Sequence, residues 1–466
     1  MQRNEIGTPG RPLRVVIVGS GPSGFYAAEA LFRRQDLAVR VDVIDRLPCP
    51  YGLVRYGVAP DHQKMKAVIK TYEKTAARPD FRFFGHVELG KDVSVDDLRR
   101  CYDQIVYAVG AETDKRLGVP GEDLANSLSS TSLVGWYNGH PDHLDLAVDL
   151  AVEKVAVFGV GNVAMDVVRV LLRKLEELAE TDIADYALEA LRSTSRIREI
   201  YLIGRRGASQ AAFTPKEIEE VGKLAGVDLV VDPEQVDRGD PTLEKGSPEL
   251  KNVEYLAAKA AEGEGKNPRK VRLRFLASPV ELLGDDGRVA GVRIEKNRLE
   301  ADGRGGLRAK GTGETEVLDV GMVVRAIGYR GVPVPGVPFH DAWGIIPNDD
   351  GRVTSSDGAP IPGEYVVGWA KRGPSGLIGT NKGDSQATVD KMLEDLPSLG
   401  GAPGDLPDLT NVLEQRGVRF VTFDDWKLLD AVEVERGAAS GRVREKILGV
   451  EAALEAIREA KAAQRI

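Results

Sequence analysis

Cysteine is almost missing from this chain. Only Cys49 and Cys101 occur in 466 residues. They form no CxxC or CxxxxC pair, which excludes a dithiol redox enzyme and argues against a zinc site. So low a thiol content suits a reducing compartment, and a cytoplasmic location is expected. Long apolar runs are absent too, so no bilayer-spanning segment is expected. The first twelve residues include Arg3, Glu5, Gly7, Pro9, Gly10 and Pro12. They have neither an apolar core nor an Arg/Ser-rich amphipathic pattern, so neither a secretory signal nor a transit peptide is expected. An excess of positive charge is also lacking. The net charge is -9, which disfavours nonspecific nucleic-acid binding. What the chain has in quantity is glycine, 52 residues of it, as suits tight turns and close backbone approach to ligands. With 42% hydrophobic and 29% charged residues it reads as globular, and its length suits two or three domains.

The glycines are concentrated where they carry most information. Residues 13–19 read as a buried parallel strand, apolar but for Arg14, and run into Gly19-Ser20-Gly21-Pro22-Ser23-Gly24. The pattern then predicts a helix over 22–34 and a second strand, 39–44, closed by Asp45. Strand, GxGxxG, helix and an acid about 20 residues on make a dinucleotide-binding fingerprint. Gly19 turns the chain, Gly21 admits the pyrophosphate, and Gly24 lets helix and strand pack. The helix N-terminus stabilises the phosphate charge, and Asp45 accepts from ribose hydroxyls.

A second loop follows the strand 153–158 and runs Gly159-Val160-Gly161-Asn162-Val163-Ala164. Its helix starts near Asn162, and the next strand, 200–203, ends in Arg205-Arg206. An acid there would repel a 2′-phosphate, whereas two guanidiniums bind it. The two loops therefore suit two different dinucleotides, and the second prefers NADP over NAD. Residues 173–196 read as a helical insertion.

Elsewhere, residues 48–62 are rich in Pro, Gly and aromatics, so neither a helix nor a central strand is expected. This apolar loop either packs on a planar ring or caps a core. Residues 105–110 and 322–329 resemble two crossings between domains. Residues 363–369 read as a strand ending at Gly368-Trp369. After it come a glycine-rich turn, 373–380, and a helical run from Asp384 to Leu393. Residues 400–411 read as a surface connection, and 442–463 as a charged amphipathic packing helix. No repeat is seen beyond the two loop units, and the sequence specifies no oligomeric state.

Taken together, the loops, the Pro50-Tyr51-Gly52-Leu53-Val54-Arg55-Tyr56-Gly57-Val58-Ala59-Pro60-Asp61-His62 run, Asp166, Arg205-Arg206-Gly207, Phe213-Thr214-Pro215-Lys216-Glu217 and Gly368-Trp369 with Gly373-Pro374-Ser375-Gly376 resemble the adrenodoxin-reductase type of ferredoxin–NADP reductase. The match spans nearly the whole chain. It implies two Rossmann-like three-layer α/β domains. The FAD domain would comprise 13–110 and 338–466, with an NADP domain, 111–337, inserted into it. It implies NADPH–ferredoxin oxidoreductase activity, with hydride transfer from NADPH to FAD and then single electrons to a ferredoxin-type iron–sulfur protein. Asp45, Leu53 and Leu89 would contact FAD, with Trp369, Gly376, Leu377 and Ile378 along the flavin. Val160, Gly161, Asn162, Val163, Arg205, Arg206 and Glu217 would contact NADP. His62, Asp166 and Glu217 would be the catalytic polar groups at the nicotinamide–flavin contact.

From the residues alone, His62 equally suits a structural hydrogen bond after Pro60-Asp61. Glu217 equally suits a helix N-terminal charge after Thr214-Pro215. Three positions depart from the family pattern: Asp45 for Glu, Tyr51 for Phe, and Ala208 for Pro, the last touching the rigidity of the turn after the arginine pair. A basic docking face is expected among Arg192, Arg196, Arg198, Arg269, Lys270, Arg272 and Arg274. The competing readings are a flavoprotein module of a larger complex, a flavin monooxygenase and a non-catalytic NADPH sensor. The first normally carries cysteine clusters, and the second leaves the 50–62 run unexplained.

Overall fold

Val15, Val16 and Ile17 are wholly buried, as a strand covered on both faces requires. Successive side chains enter opposite cores: Val15 and Ile17 join Leu31, while Val16 and Val18 join Leu98. The computed structural model describes residues 6–240, 242–303, 306–399 and 406–464. Of the 400–411 stretch, residues 400–405 lie outside the described residues.

The first sheet has seven strands, in the order Asn348–Asp349, Arg352–Thr354, Pro360–Val366, Gln104–Tyr107, Leu13–Val18, Val39–Asp45, Phe81–Gly85. The last five are parallel. The second sheet has six parallel strands, in the order Ser127–Ser129, Met322–Arg325, Lys154–Phe158, Glu199–Ile203, Arg269–Arg274, Val227–Val231. In each sheet the strand before the glycine loop sits where the order reverses. Ligands bind at such a switch point, beyond the carboxyl ends of the strands. The two loops are set alike. Gly19 N–H donates to Ile44 O at 2.8 Å, and Gly159 N–H to Ile203 O at 2.9 Å. Gly19 has φ +107°, and a Cβ there would meet Ala108 O at 2.5 Å. A Cβ on Gly24 would lie 2.2 Å from Gly19 O, so helix Pro22–Phe32 closes on the loop only without a side chain there.

Several elements differ from the sequence reading. Residues 48–62 include one helical turn, Leu53–Tyr56, entered through Gly52 at φ +47° and ended at Gly57. The prolines at 50, 48 and 60 flank this turn and do not interrupt it. The crossing between sheets is not the 322–329 strand as a whole, because Met322–Arg325 is an inner strand of the second sheet. The passage itself is an antiparallel pair, Tyr329–Arg330 with Thr113–Asp114. The strand before Trp369 is Pro360–Val366, and the following helix begins at Thr380, not Asp384. Strands Ala277–Asp285, Arg288–Ala301 and Leu307–Leu318 form a three-stranded antiparallel sheet absent from the sequence reading. Its Leu282, Val292 and Ile294 pack on Ala156 and Phe158, so one face of the second sheet is covered by strands instead of helices.

The final helix is Val450–Ala463, not 442–463. Gly449 at φ +83° precedes it, and residues 442–447 are held in side-chain bonds that a helix would break. The Lys446 ammonium donates to Asn138 O at 3.0 Å and Arg55 O at 3.1 Å, 3.3 Å from Asp182 Oδ2. Arg442 binds the Thr181 and Ile183 carbonyls. This segment therefore joins the helical turn at 55, helix Ser130–Asn138 and the 173–196 insertion. The insertion itself forms helices Leu175–Ala179 and Asp185–Ser193.

Candidate functional site

At the first loop, Asp45 ends its strand with the carboxylate already engaged. It accepts from Ser20 N–H at 2.9 Å, Ser20 Oγ at 2.5 Å and Leu47 N–H at 2.9 Å. The shorter acid thus ties loop to strand, and a ribose hydroxyl would share oxygens that already hold protein donors. A Cβ on Gly21 would meet nothing within 4 Å: the loop backbone is bare on the side where a pyrophosphate would lie. Leu53 is half-buried, and Leu89 is buried in the core beneath Asp45's strand. The turn at Gly368 lies directly on this loop. A Cβ at 368 would sit 2.0 Å from Ser23 Oγ, and Ser385 Oγ donates to Ser23 O at 3.0 Å. Pro22 is buried at the first helical position. Trp369 packs against Tyr329 with ring centroids 5.1 Å apart. Gly376 and Leu377 are exposed, and Ile378 is half-buried.

At the second loop, Gly161 also has open space in place of a Cβ. Val160, Asn162 and Val163 are half-buried around it, and Asn162 Oδ1 accepts from Thr214 N–H at 2.9 Å. That bond locates helix Pro215–Gly222. Thr214 occupies its N-cap position, but its side chain makes no cap bond. Arg205 is exposed and Arg206 half-buried, and neither has an acidic partner among the described residues. Gln210 stiffens their turn by accepting from Gly207 N–H at 3.1 Å, a support that Ala208 in place of proline does not supply.

His62, Asp166 and Glu217 are brought together, around a residue the sequence reading missed. Arg169, with 0% exposure, donates to Asp61 at 3.0 Å, Asp166 at 2.5 Å and Glu217 at 2.5 Å, and lies 3.3 Å from His62 Nδ1. His62 Nε2 is 2.9 Å from Glu220 Oε2 but 3.9 Å from Glu217 Oε2. The histidine's direct partner is therefore Glu220, also missed. Both had a signal. Arg169 is a lone cation on the apolar side of its helix, one turn after Asp166, and such a residue is buried only when paired. Glu220 is one turn after Glu217. The ligand atoms of His62, Glu217 and Glu220 lie within 4.8 Å of one another, a spacing that suits a cation. The Arg169 guanidinium already holds Glu217 and lies 3.7 Å from Glu220. The cluster reaches solvent through a cavity of about 320 Å³ beside Asp61, His62, Arg173 and Glu220.

Burial pushes the Asp166 carboxyl up to about 6; Arg169 and His62 oppose this, and Glu217 and Asp61 reinforce it. At Asp61, burial is outweighed by Arg169 and Arg173, which hold its carboxyl below the usual range. Burial is likewise outweighed at Glu220, by the His62 bond and Arg169. The sign for Asp166 follows from its ordinary value of 3.8. Between that value and about 6 the folded chain keeps a proton that the unfolded chain has lost, so stability falls as pH rises through this window. Relative to Asp166→Asn, the wild type should lose about 2 kcal/mol between pH 4 and 7. Urea midpoints of both proteins across that range check this, and parallel profiles would refute it.

Four of the seven cations expected to form a basic docking face are paired with acids. Arg192 pairs with Glu189, Lys270 with Glu264, Arg272 with Glu199 and Glu264, and Arg274 with Glu316. Arg269 is spent on the Leu172 and Ala225 carbonyls. Arg196 and Arg198 are exposed without acidic partners among the described residues.

Comparison with known proteins places this geometry among relatives. Residues 13–223 match the family described as pyridine nucleotide-disulphide oxidoreductase. The NADPH-ferredoxin reductase FprA of Mycobacterium tuberculosis is 45% identical over 94% of this chain and 97% of its own. The mitochondrial NADPH:adrenodoxin oxidoreductase of Arabidopsis thaliana is 44% identical over 94% of both chains. The solved structure of Mycobacterium tuberculosis FprA in complex with NADPH superposes with a TM-score of 0.91, covering 96% of this chain and all of that one.

Proposed function

The chain belongs to the family of NADPH–ferredoxin and NADPH–adrenodoxin oxidoreductases, and from that premise we propose that it is an FAD-dependent NADPH–ferredoxin oxidoreductase. One observation carries the reading at residue level: an acid follows the first glycine loop, and two arginines without acidic partners among the described residues follow the second. When bound, FAD supplies the exchange between a two-electron donor, NADPH, and a one-electron acceptor. The residues present fit both dinucleotides. The loop backbones at Gly21 and Gly161 are bare, each at a helix N-terminus. We assign residues 13–110 and 338–466 to FAD and 111–337 to NADP.

In this reading Gly19, Gly21, Pro22, Ser23 and Gly24 cradle the FAD pyrophosphate. Asp45 orders the loop and shares an oxygen with the ribose. Leu53 and Leu89 contact FAD, and Trp369, Gly376, Leu377 and Ile378 lie along the flavin. Val160, Gly161, Asn162 and Val163 hold the NADP pyrophosphate, and Arg205 and Arg206 bind its 2′-phosphate. His62, Asp166 and Glu217 orient the reacting rings and hold a proton beside them. Arg169 fixes their mutual geometry, and Glu220 fixes the His62 ring. The acceptor is an iron–sulfur protein of the ferredoxin type. A cytoplasmic location belongs to the same proposal, supported by two buried, unbridged cysteines. No helix among the described residues is long and apolar enough to cross a membrane.

The purified protein should carry flavin absorption that NADPH bleaches, and should reduce cytochrome c only when a ferredoxin is added. Absence of bound flavin would overturn the reading in favour of an NADPH-binding protein without catalysis.

A further inference from the structure

Trp343 is the most exposed large apolar side chain among the described residues, at 70%. It does not hang free. Its ring stacks on His340, 4.2 Å between centroids and 9° between planes. Its loop is pinned at both ends: His340 N–H donates to Ile345 O and Gly344 N–H to His340 O, each at 2.8 Å. The loop is also bound to the surroundings of Trp369. Ile346 N–H donates to Ala370 O at 2.8 Å, Gly331 N–H to Gly344 O at 3.1 Å, and Asn348 Nδ2 to Lys371 O at 3.1 Å.

Two more apolar side chains are exposed on segments that meet at the same place. Leu377, at 59%, follows the turn in which Trp369 Nε1 donates to Ser375 O. Ile327, at 36%, lies two residues before Tyr329, the ring packed on Trp369. The charges here are mainly positive. Arg330 reaches only the Asp341 carbonyl, and Lys115 lies beside Gly328. Both are exposed without an acidic partner among the described residues. Of the nearby acids, Asp114 is taken by Arg325, and Asp384 by Lys371 and Arg372. The exposed Asp341 carboxylate opposes them, and the exposed Asp349 and Asp350 follow Asn348 at the edge of the face, within a chain whose net charge is -9.

An exposed tryptophan stacked on His340, in a loop bonded to the backbone beside Trp369 and Tyr329 and with two unpaired cations on the adjoining segments, has the make-up of an interface anchor. We propose that the face built on Trp343, with Leu377, Ile327, Arg330 and Lys115, is where an acidic one-electron carrier protein docks. The proposal rests on the oxidoreductase reading above and puts the docking site here instead of on the 192–274 surface, where four of the seven cations are paired with acids. Trp343 supplies the desolvated contact. Arg330 and Lys115 steer the carrier and set its salt dependence.

The test uses the holoenzyme, NADPH, and two acceptors: an acidic [2Fe–2S] ferredoxin and ferricyanide, which needs no docking face. Trp343→Asp should raise KM for the ferredoxin about tenfold or more, the loss expected of a central interface tryptophan. Trp343→Phe should stay within about threefold of wild type. Arg330→Glu should raise the same KM and flatten its dependence on salt. Ferricyanide reduction should remain within about twofold in all three. An unchanged ferredoxin KM in both Trp343→Asp and Arg330→Glu overturns the proposal, as does an equal loss with ferricyanide, which would mean the tryptophan serves the fold. A wild-type dimer that Trp343→Asp converts to a monomer also overturns it, because a second copy would then cover the face. If wild type reduces ferricyanide but no ferredoxin, the parent reading fails and this one with it.

Discussion

Arg169→Met is expected to destabilise the protein by about 3–5 kcal/mol, the cost of removing one partner from a buried ion network. The side chain it replaces is wholly buried and holds Asp61, Asp166 and Glu217 at once. Methionine fills much of the volume but answers none of the three carboxylates. Among the described residues, Arg173, 3.0 Å from Asp61, and His62, 3.8 Å from Asp166 and 3.9 Å from Glu217, are all that remain beside the trio. The loss should shrink in acid, as the carboxylates take up protons. Urea unfolding at pH 7 and at pH 5 measures it, and a loss under about 1 kcal/mol at pH 7 would contradict the role given to Arg169. Arg169→Lys should be intermediate, since an ammonium cannot present the guanidinium fork to three acceptors.

Changing Arg205 and Arg206 together to alanine should have the opposite profile. Binding suffers and stability does not. Each charge-assisted bond to a phosphate contributes about 1.5–3 kcal/mol. The double variant should therefore lose about a hundredfold or more in kcat/KM for NADPH, while kcat/KM for NADH changes little. Because neither guanidinium has an acidic partner among the described residues, the melting temperature should move by no more than about 2 °C. An unaltered ratio of NADPH to NADH turnover would refute the 2′-phosphate assignment.

What the sequence made legible was local. Gly19 to Gly24, Gly159 to Ala164 and the strands around them are contiguous in the chain, and period and spacing suffice to read them. Arg205-Arg206 was legible because its place after a strand carries the meaning. Arg169 was not, since its partners come from residues 61, 166 and 217, on three elements that meet only in the folded chain. The same reason hid the pairing of four cations in the expected basic docking face. Arg274 looks free in the sequence, but Glu316, its partner, lies on a neighbouring sheet. The helical turn at Leu53–Tyr56 hid inside a proline-rich stretch because four consecutive residues between Gly52 and Gly57 are enough to form it. The 277–318 sheet was hidden by its polarity: one strand, Leu307–Leu318, is exposed along most of its length and shows little apolar alternation.

The segment that carries Lys446 also bears on biosynthesis. The strand Gln104–Tyr107 lies between Leu13–Val18 and Pro360–Val366, so the first sheet cannot be completed on the ribosome until the latter strand has emerged. The second sheet needs only residues from 127 to 325, and contiguous units fold as they are made. The portion synthesised first must therefore wait while the portion inserted into it takes shape. Lys446, made later than both sheets, then binds Arg55, Asn138 and Asp182, and a nascent chain stalled before Lys446 would leave that junction open.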